Sequence, residues 1–181
     1  MKTRDYILCG LFAAILCVSA FISIPLFFTP IPLTMQVLAV AITAMVLGGK
    51  RGAIAVLIYV LLGCFGLPVF SGMKGGLGVV AGATGGYIWG FIPATFVAGT
   101  LYEKVMTGSN SGKEIGKAIG ALCVGLCVLY VCGAIQLMYV ANMGLGAALG
   151  AAVIPFIPFD IFKIAVAAVI AVNLRKQIAI I

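Results

Sequence analysis

Histidine is absent from the 181 residues, and acids are scarce: Asp5, Glu103, Glu114 and Asp160 are the only four. A zinc hydrolase of the H-E-x-x-H kind, a Ser-His-Asp triad and a His-based proton relay are thereby excluded. No G-x-x-x-x-G-K-[ST] phosphate loop occurs, so the chain does not hydrolyse ATP itself. Charged residues make up 8% of the chain and hydrophobic ones 64%, whereas a soluble domain is about 25% charged and about 45–50% apolar. That balance excludes an ordinary water-soluble globule. The six cysteines lie inside apolar segments without a C-x-x-C and read as small core hydrophobes rather than redox or metal groups.

What is present is long uncharged sequence. Residues 6–49, 52–73, 75–102 and 118–159 carry no charge, room for about six bilayer crossings of roughly 17–25 residues each. Lys2 and Arg4 before an apolar run ending in Val18-Ser19-Ala20 look like a signal peptide. Apolar sequence continues past that point, so the run reads as a retained first helix. Proline and glycine then divide the chain into helices at about 6–28, 33–47, 52–66, 86–106, 114–141 and 148–174. The expectation is an all-α integral membrane protein, one membrane domain over 1–181 with six transmembrane helices. Helices 2 and 3 are short for a full crossing.

Basic residues set the orientation. With both termini in the cytoplasm, Lys2, Arg4, Lys50, Arg51, Lys104, Lys113, Lys117, Arg175 and Lys176 are all inside. Only Lys74 lies in an outer loop, a strong positive-inside bias. The net charge of +7 is thus topological anchoring, and nucleic acid is not a partner.

Asp160 and Lys163 break this pattern. On a helix from about 148 they lie about 18–23 Å from its outer end, near mid-membrane, or somewhat nearer the surface if Pro155 and Pro158 leave the first turns loose. A charge at mid-membrane costs roughly 2.5–3.5 kcal/mol or more. One reading is a self-neutralising i,i+3 pair; the other is a site for a ligand with both donors and acceptors. Pro155 and Pro158 favour the second, because each frees a carbonyl and unpaired backbone at that depth must face protein or a cavity. Lys74 is either a solvated loop lysine or a cation on a lid, since the stretch from Gly66 to Gly86 holds eight glycines and is otherwise mostly apolar. Gln36 is costly in lipid unless it faces inward. Tyr87 is either interfacial or a ligand wall, and Trp89 reads as interfacial belt. On helix 1, Gly10, Ala13 and Ala14 form a small-residue stripe suited to close packing, inside the chain or against a partner.

The succession Thr29-Pro30-Ile31-Pro32-Leu33-Thr34-Met35-Gln36, Gly66-Leu67-Pro68-Val69-Phe70-Ser71-Gly72, Gly75-Gly76-Leu77-Gly78, Thr84-Gly85-Gly86-Tyr87 and Phe156-Ile157-Pro158-Phe159-Asp160-Ile161-Phe162-Lys163 resembles the BioY family. These are the biotin-specific S components of energy-coupling factor (ECF) transporters, and the resemblance spans roughly residues 8–172. It implies an S-component-like bundle in a prokaryotic cell membrane, with a glycine-rich outer lid loop between helices 3 and 4. It implies biotin as ligand, no cofactor, and as partners a transmembrane coupling subunit and two ABC-type ATPase subunits, which alone bind ATP. The implied binding set is Asp160 and Lys163 for the ureido ring, with Lys74, Gln36, Tyr87, Gly75 and Gly86. Gly10, Ala13 and Ala14 would meet the coupling subunit. Two departures matter. Ile88 stands where some relatives carry Arg, which leaves Lys74 to supply the charge for the ligand's carboxylate. Phe159 replaces a Gly common before the Asp, which puts the cavity's shape there in question. The competing function is an autonomous secondary transporter of a small anionic vitamin-like solute, with Asp160 as its proton-coupling acid. An enzyme is not expected.

Overall fold

The computed structural model describes residues 3–106 and 111–180; Lys2 and the side chain of Lys176, two of the expected cytoplasmic anchors, lie outside this description. The elements run α1 (Thr3–Phe21), β1 (Ser23–Ile24), β2 (Leu33–Thr34), α2 (Gln36–Cys64), α3 (Leu77–Ala81), α4 (Gly85–Val105), α5 (Ser111–Ala141), α6 (Leu145–Ala152) and α7 (Ile157–Ile180). Among the described residues the fold is all-helical apart from one two-residue β ladder and an isolated Phe70–Lys74 bridge. Seven helices appear among the described residues where the sequence suggests six, and each difference has a local cause.

α2 is two antiparallel arms. Gln36 Nε2 donates to the Tyr59 hydroxyl at 2.6 Å, although a straight helix would hold the two residues roughly 35 Å apart. The reversal is at Gly48, whose φ of 79° and ψ of −178° suit a residue without a Cβ. The arms, 36–47 and 49–64, are the expected helices 2 and 3, joined by the tightest of turns. Their lengths of about 18 and 24 Å stay below the roughly 30 Å of a hydrocarbon core.

Charged side chains close the turn. Arg51 Nε donates to Leu47 O at 3.1 Å and Arg175 donates to Met45 O at 2.8 Å, satisfying carbonyls that a helix end leaves open. The Gly49 N–H donates to Glu103 at 3.3 Å. Arg51 also pairs with Asp5 of α1 at 2.9 Å, and Arg175 lies over the Tyr102 ring. These anchors therefore hold α1, α2, α4 and α7 together at this end.

Helix 1 was expected to reach residue 28 and stops at Phe21. Pro25 disfavours helix for the residue before it, and the chain turns extended instead. Ser23 pairs with Thr34 and Ile24 with Leu33 in an antiparallel hairpin. The expected helix 6 is divided: α6 ends at Ala152, residues 153–156 form turns, and α7 restarts at Ile157. Pro158 sits in the first turn of α7, where no N–H is needed. α3 is a helical turn inside what the sequence suggests is wholly a loop.

The core packs α2 against α4, α4 against α5, and α1 and α7 on the flanks of α2. Its contact positions are small: Ala41, Ala44, Ala55, Ala98, Ala118, Ala167, Ala168 and Ala171 are all buried. Small residues let backbones approach closely in lipid. Among the described residues, Thr3–Phe21, Gly112–Ala141 and Ile157–Arg175 are each long and apolar enough to cross a membrane, and Gln36–Cys64 is as apolar but is divided at Gly48.

Candidate binding cavity

At the end of the bundle away from the Gly48 turn lies a cavity of about 300 Å³. Its walls come from the β1–β2 hairpin, the start of α2, the turn at 70–74, the start of α4 and the α6–α7 break. Most of the lining is apolar, including Leu26, Ile31, Phe70, Ile88, Phe91 and Phe156.

One charged cluster lies in it. Asp160 and Lys163 are 3% and 7% exposed, and Lys163 Nζ meets Asp160 Oδ1 at 2.9 Å. The other carboxylate oxygen, Oδ2, accepts from the Tyr130 hydroxyl at 2.9 Å. Lys163 also donates to the backbone carbonyl of Thr34 at 2.8 Å. The break before α7 positions this cluster. Asp160 is in the first turn of α7, where the helix dipole favours an anion, and its N–H donates to Phe156 O at 2.8 Å. The expectation of a pair about 18–23 Å along a helix from about 148 is thus corrected: the helix begins beside the pair.

The cluster retains unused valence. An ammonium has three donors and a carboxylate about four acceptor sites. Two donors of Lys163 and one site on each Asp160 oxygen are engaged. One N–H and two lone pairs remain for a ligand, on groups already desolvated and therefore costly to leave unmatched.

Of the other expected residues, Gln36, Tyr87 and Lys74 line the same cavity. Gln36 is buried and held by Tyr59, whose ring makes an edge contact with Phe70. The Tyr87 hydroxyl donates to Ala152 O, tying α4 to the end of α6. Lys74 is exposed at the rim. It closes a tight turn in which its amide and carbonyl pair with Phe70, with Gly72 and Met73 at positive φ.

Gly75 and Gly86 are not lining residues. A Cβ on Gly75 would lie 2.3 Å from Leu67 O, and one on Gly86 2.5 Å from Cys132 O. Both positions are glycine because neighbouring backbone occupies the space. Phe159 is 54% exposed and lies outside the lining, so its side chain leaves the cavity's shape alone. Ile88, by contrast, is buried and lines it. On α1, Ala13 is 2% exposed and belongs to the core, while a Cβ on Gly10 would meet nothing within 4 Å. Gly10 and Ala14 are on the open face and Ala13 is not.

Three participants escaped sequence reasoning. Tyr130 offered a signal, a polar tip in an apolar helix. The Thr34 carbonyl offered none, because any residue carries one. Gln136, on α5, binds the α3 segment and Trp89; it was legible as the uncharged amide of an apolar helix.

The sequence matches the BioY family over residues 1–180. It is 42% identical to the biotin transporter BioY of Thermotoga maritima over 173 residues, covering 96% of each chain. To the biotin transporter BioY of Rhizobium etli it is also 42% identical, covering 94% of this chain and 92% of that one. Among solved structures, the S-component for biotin from an ECF-type ABC transporter superposes with a TM-score of 0.85 at 29% identity, covering 98% of this chain and 95% of that one.

Proposed function

The chain belongs to the BioY family, and we propose that it is the biotin-binding membrane subunit of an energy-coupling factor transporter, a transport protein and not an enzyme. The observation that carries this reading is the buried Asp160–Lys163 pair with valence to spare. A ureido ring has two N–H donors for the Asp160 carboxylate and one carbonyl for the remaining N–H of Lys163. Apolar walls suit the thioether ring and methylenes, and the volume is at the small end of ligand pockets, about 300–1,000 Å³. Lys74 at the rim takes the valerate carboxylate, a role that buried Ile88 cannot fill. Selectivity follows because an analogue lacking a ureido group strands a desolvated partner.

In this reading α1, both arms of α2, α4, α5 and α6–α7 make six crossings, with both termini in the cytoplasm and the cavity facing out. The segment 65–84 is a lid over the cavity. Buried Phe70, packed over Gly63, and the Gly76 N–H donating to Gly63 O at 2.7 Å support this, since they hold the segment on the protein rather than in solvent. Gly10 and Ala14 form the contact for a transmembrane coupling subunit, through which two ABC-type ATPases supply energy. Labelled-biotin uptake in cells without their own biotin transporter tests the assignment. Uptake that requires the coupling module and ATPases is expected. Equal accumulation without them would establish a self-sufficient transporter instead.

A further inference from the structure

α3 is held by very little. It has five residues, none of them buried, and no side-chain cap at its start. So short a helix is not stable by itself, and apolar packing secures it only in part, through half-buried Val79 and Val80. Hydrogen bonds do the rest. At one end the Gly76 N–H donates to Gly63 O. At the other, Gln136 Nε2 donates to Val80 O at 2.7 Å and to Gly82 O at 2.8 Å. The Val80 carbonyl is one that the end of α3 leaves open, while Gly82 O also accepts from the Gly85 N–H at 3.1 Å. The Gln136 amide also accepts from Trp89 Nε1 through Oε1 at 2.6 Å. Its space is reserved, since a Cβ on Gly85 would lie 2.4 Å from Gln136 Nε2. Val79, Thr84, Tyr87 and Ile88, flanking this clamp, line the cavity.

We infer that Gln136 is a positioning residue that clamps the α3 segment to α5 and thereby sets how long the ligand stays in the cavity. Trp89, the only tryptophan of the chain, reports the state of that clamp through its hydrogen bond. The inference rests on the proposed biotin cavity and its lid.

The test uses the full chain in detergent and reads release of labelled biotin after a chase, association rate, and Trp89 emission. Two variants attack the clamp from opposite sides. Gln136→Glu keeps the acceptor for Trp89 but turns a second oxygen toward two carbonyls. Gly85→Ala leaves Gln136 in place but sets a Cβ against Val80 O first and the Gln136 amide second, so it pushes apart the two partners of the clamp. Each is expected to release biotin roughly tenfold faster or more, as for two lost hydrogen bonds, with association little changed. Biotin is expected to shift Trp89 emission in the natural chain and less in the variants. A purely structural role would lower the bound fraction without changing release from the molecules that bind. Natural-rate release from either folded variant overturns the inference alone. A natural chain that binds no biotin overturns the functional reading and the inference with it.

Discussion

Lys163 donates to the carbonyl of Thr34, 129 residues away, at 2.8 Å. That bond joins the start of α7 to the strand before α2, so the charge proposed to meet the ligand also ties together two walls of the cavity. Lys163→Ala therefore removes the proposed ligand donor and strands Asp160. Biotin affinity is expected to fall by about 2–5 kcal/mol, read by calorimetry. Asp160→Ala should cost a similar amount by stranding Lys163.

Tyr130 provides a finer test. Tyr130→Phe keeps the ring and removes only the donor to Asp160 Oδ2. Binding is expected to weaken by about 1–3 kcal/mol, the cost of one charge-assisted hydrogen bond, less than loss of Lys163. Unchanged calorimetric affinity would mean that Tyr130 does not orient the carboxylate.

Lys74 is separable by ligand chemistry. Lys74→Ala should weaken biotin a few-fold and leave an uncharged biotin amide unaffected, measured side by side. Equal loss for both ligands would remove Lys74 as the carboxylate partner.

Gly48 tests the hairpin rather than the site. Gly48→Ala places a Cβ at a φ of 79° and against the Glu103 carboxylate, so thermal unfolding in detergent should show a loss of about 1–3 kcal/mol. In a Glu103→Ala background, which has already lost the acceptor of the Gly49 N–H, Gly48→Ala meets no collision but keeps the backbone strain, so it should still cost part of the loss. No cost of Gly48→Ala in that background would place the whole loss in the collision.

The membrane character, the helical segments and the charged pair were legible because lipid makes every charge and every proline conspicuous. Asp160 and Lys163 could be singled out before any contact was known. The residues between Gly66 and Gly86 were harder to assign. Glycine there serves two ends: Gly66, Gly72 and Gly76 adopt positive φ, whereas Gly75 and Gly86 give way to neighbouring backbone. Composition does not tell these apart, and Gly75 and Gly86 were accordingly expected in the site. The Gly48-Gly49 pair marked the end of a helix but not that the next arm begins at once. The α6–α7 break was signalled by Pro155, yet its effect, bringing Asp160 into a first turn, depends on where the new helix starts. Ala13 is one residue from Ala14 and opposite in exposure, a matter of helix rotation that spacing alone does not fix.

The central claim is that this single chain holds biotin through its α7 charges. Calorimetric titration of biotin into the purified natural chain, beside Lys163→Ala, tests it most directly. Tight one-to-one binding that is lost in the variant is the predicted result. No binding by a folded natural chain, or undiminished binding by the variant, would contradict it.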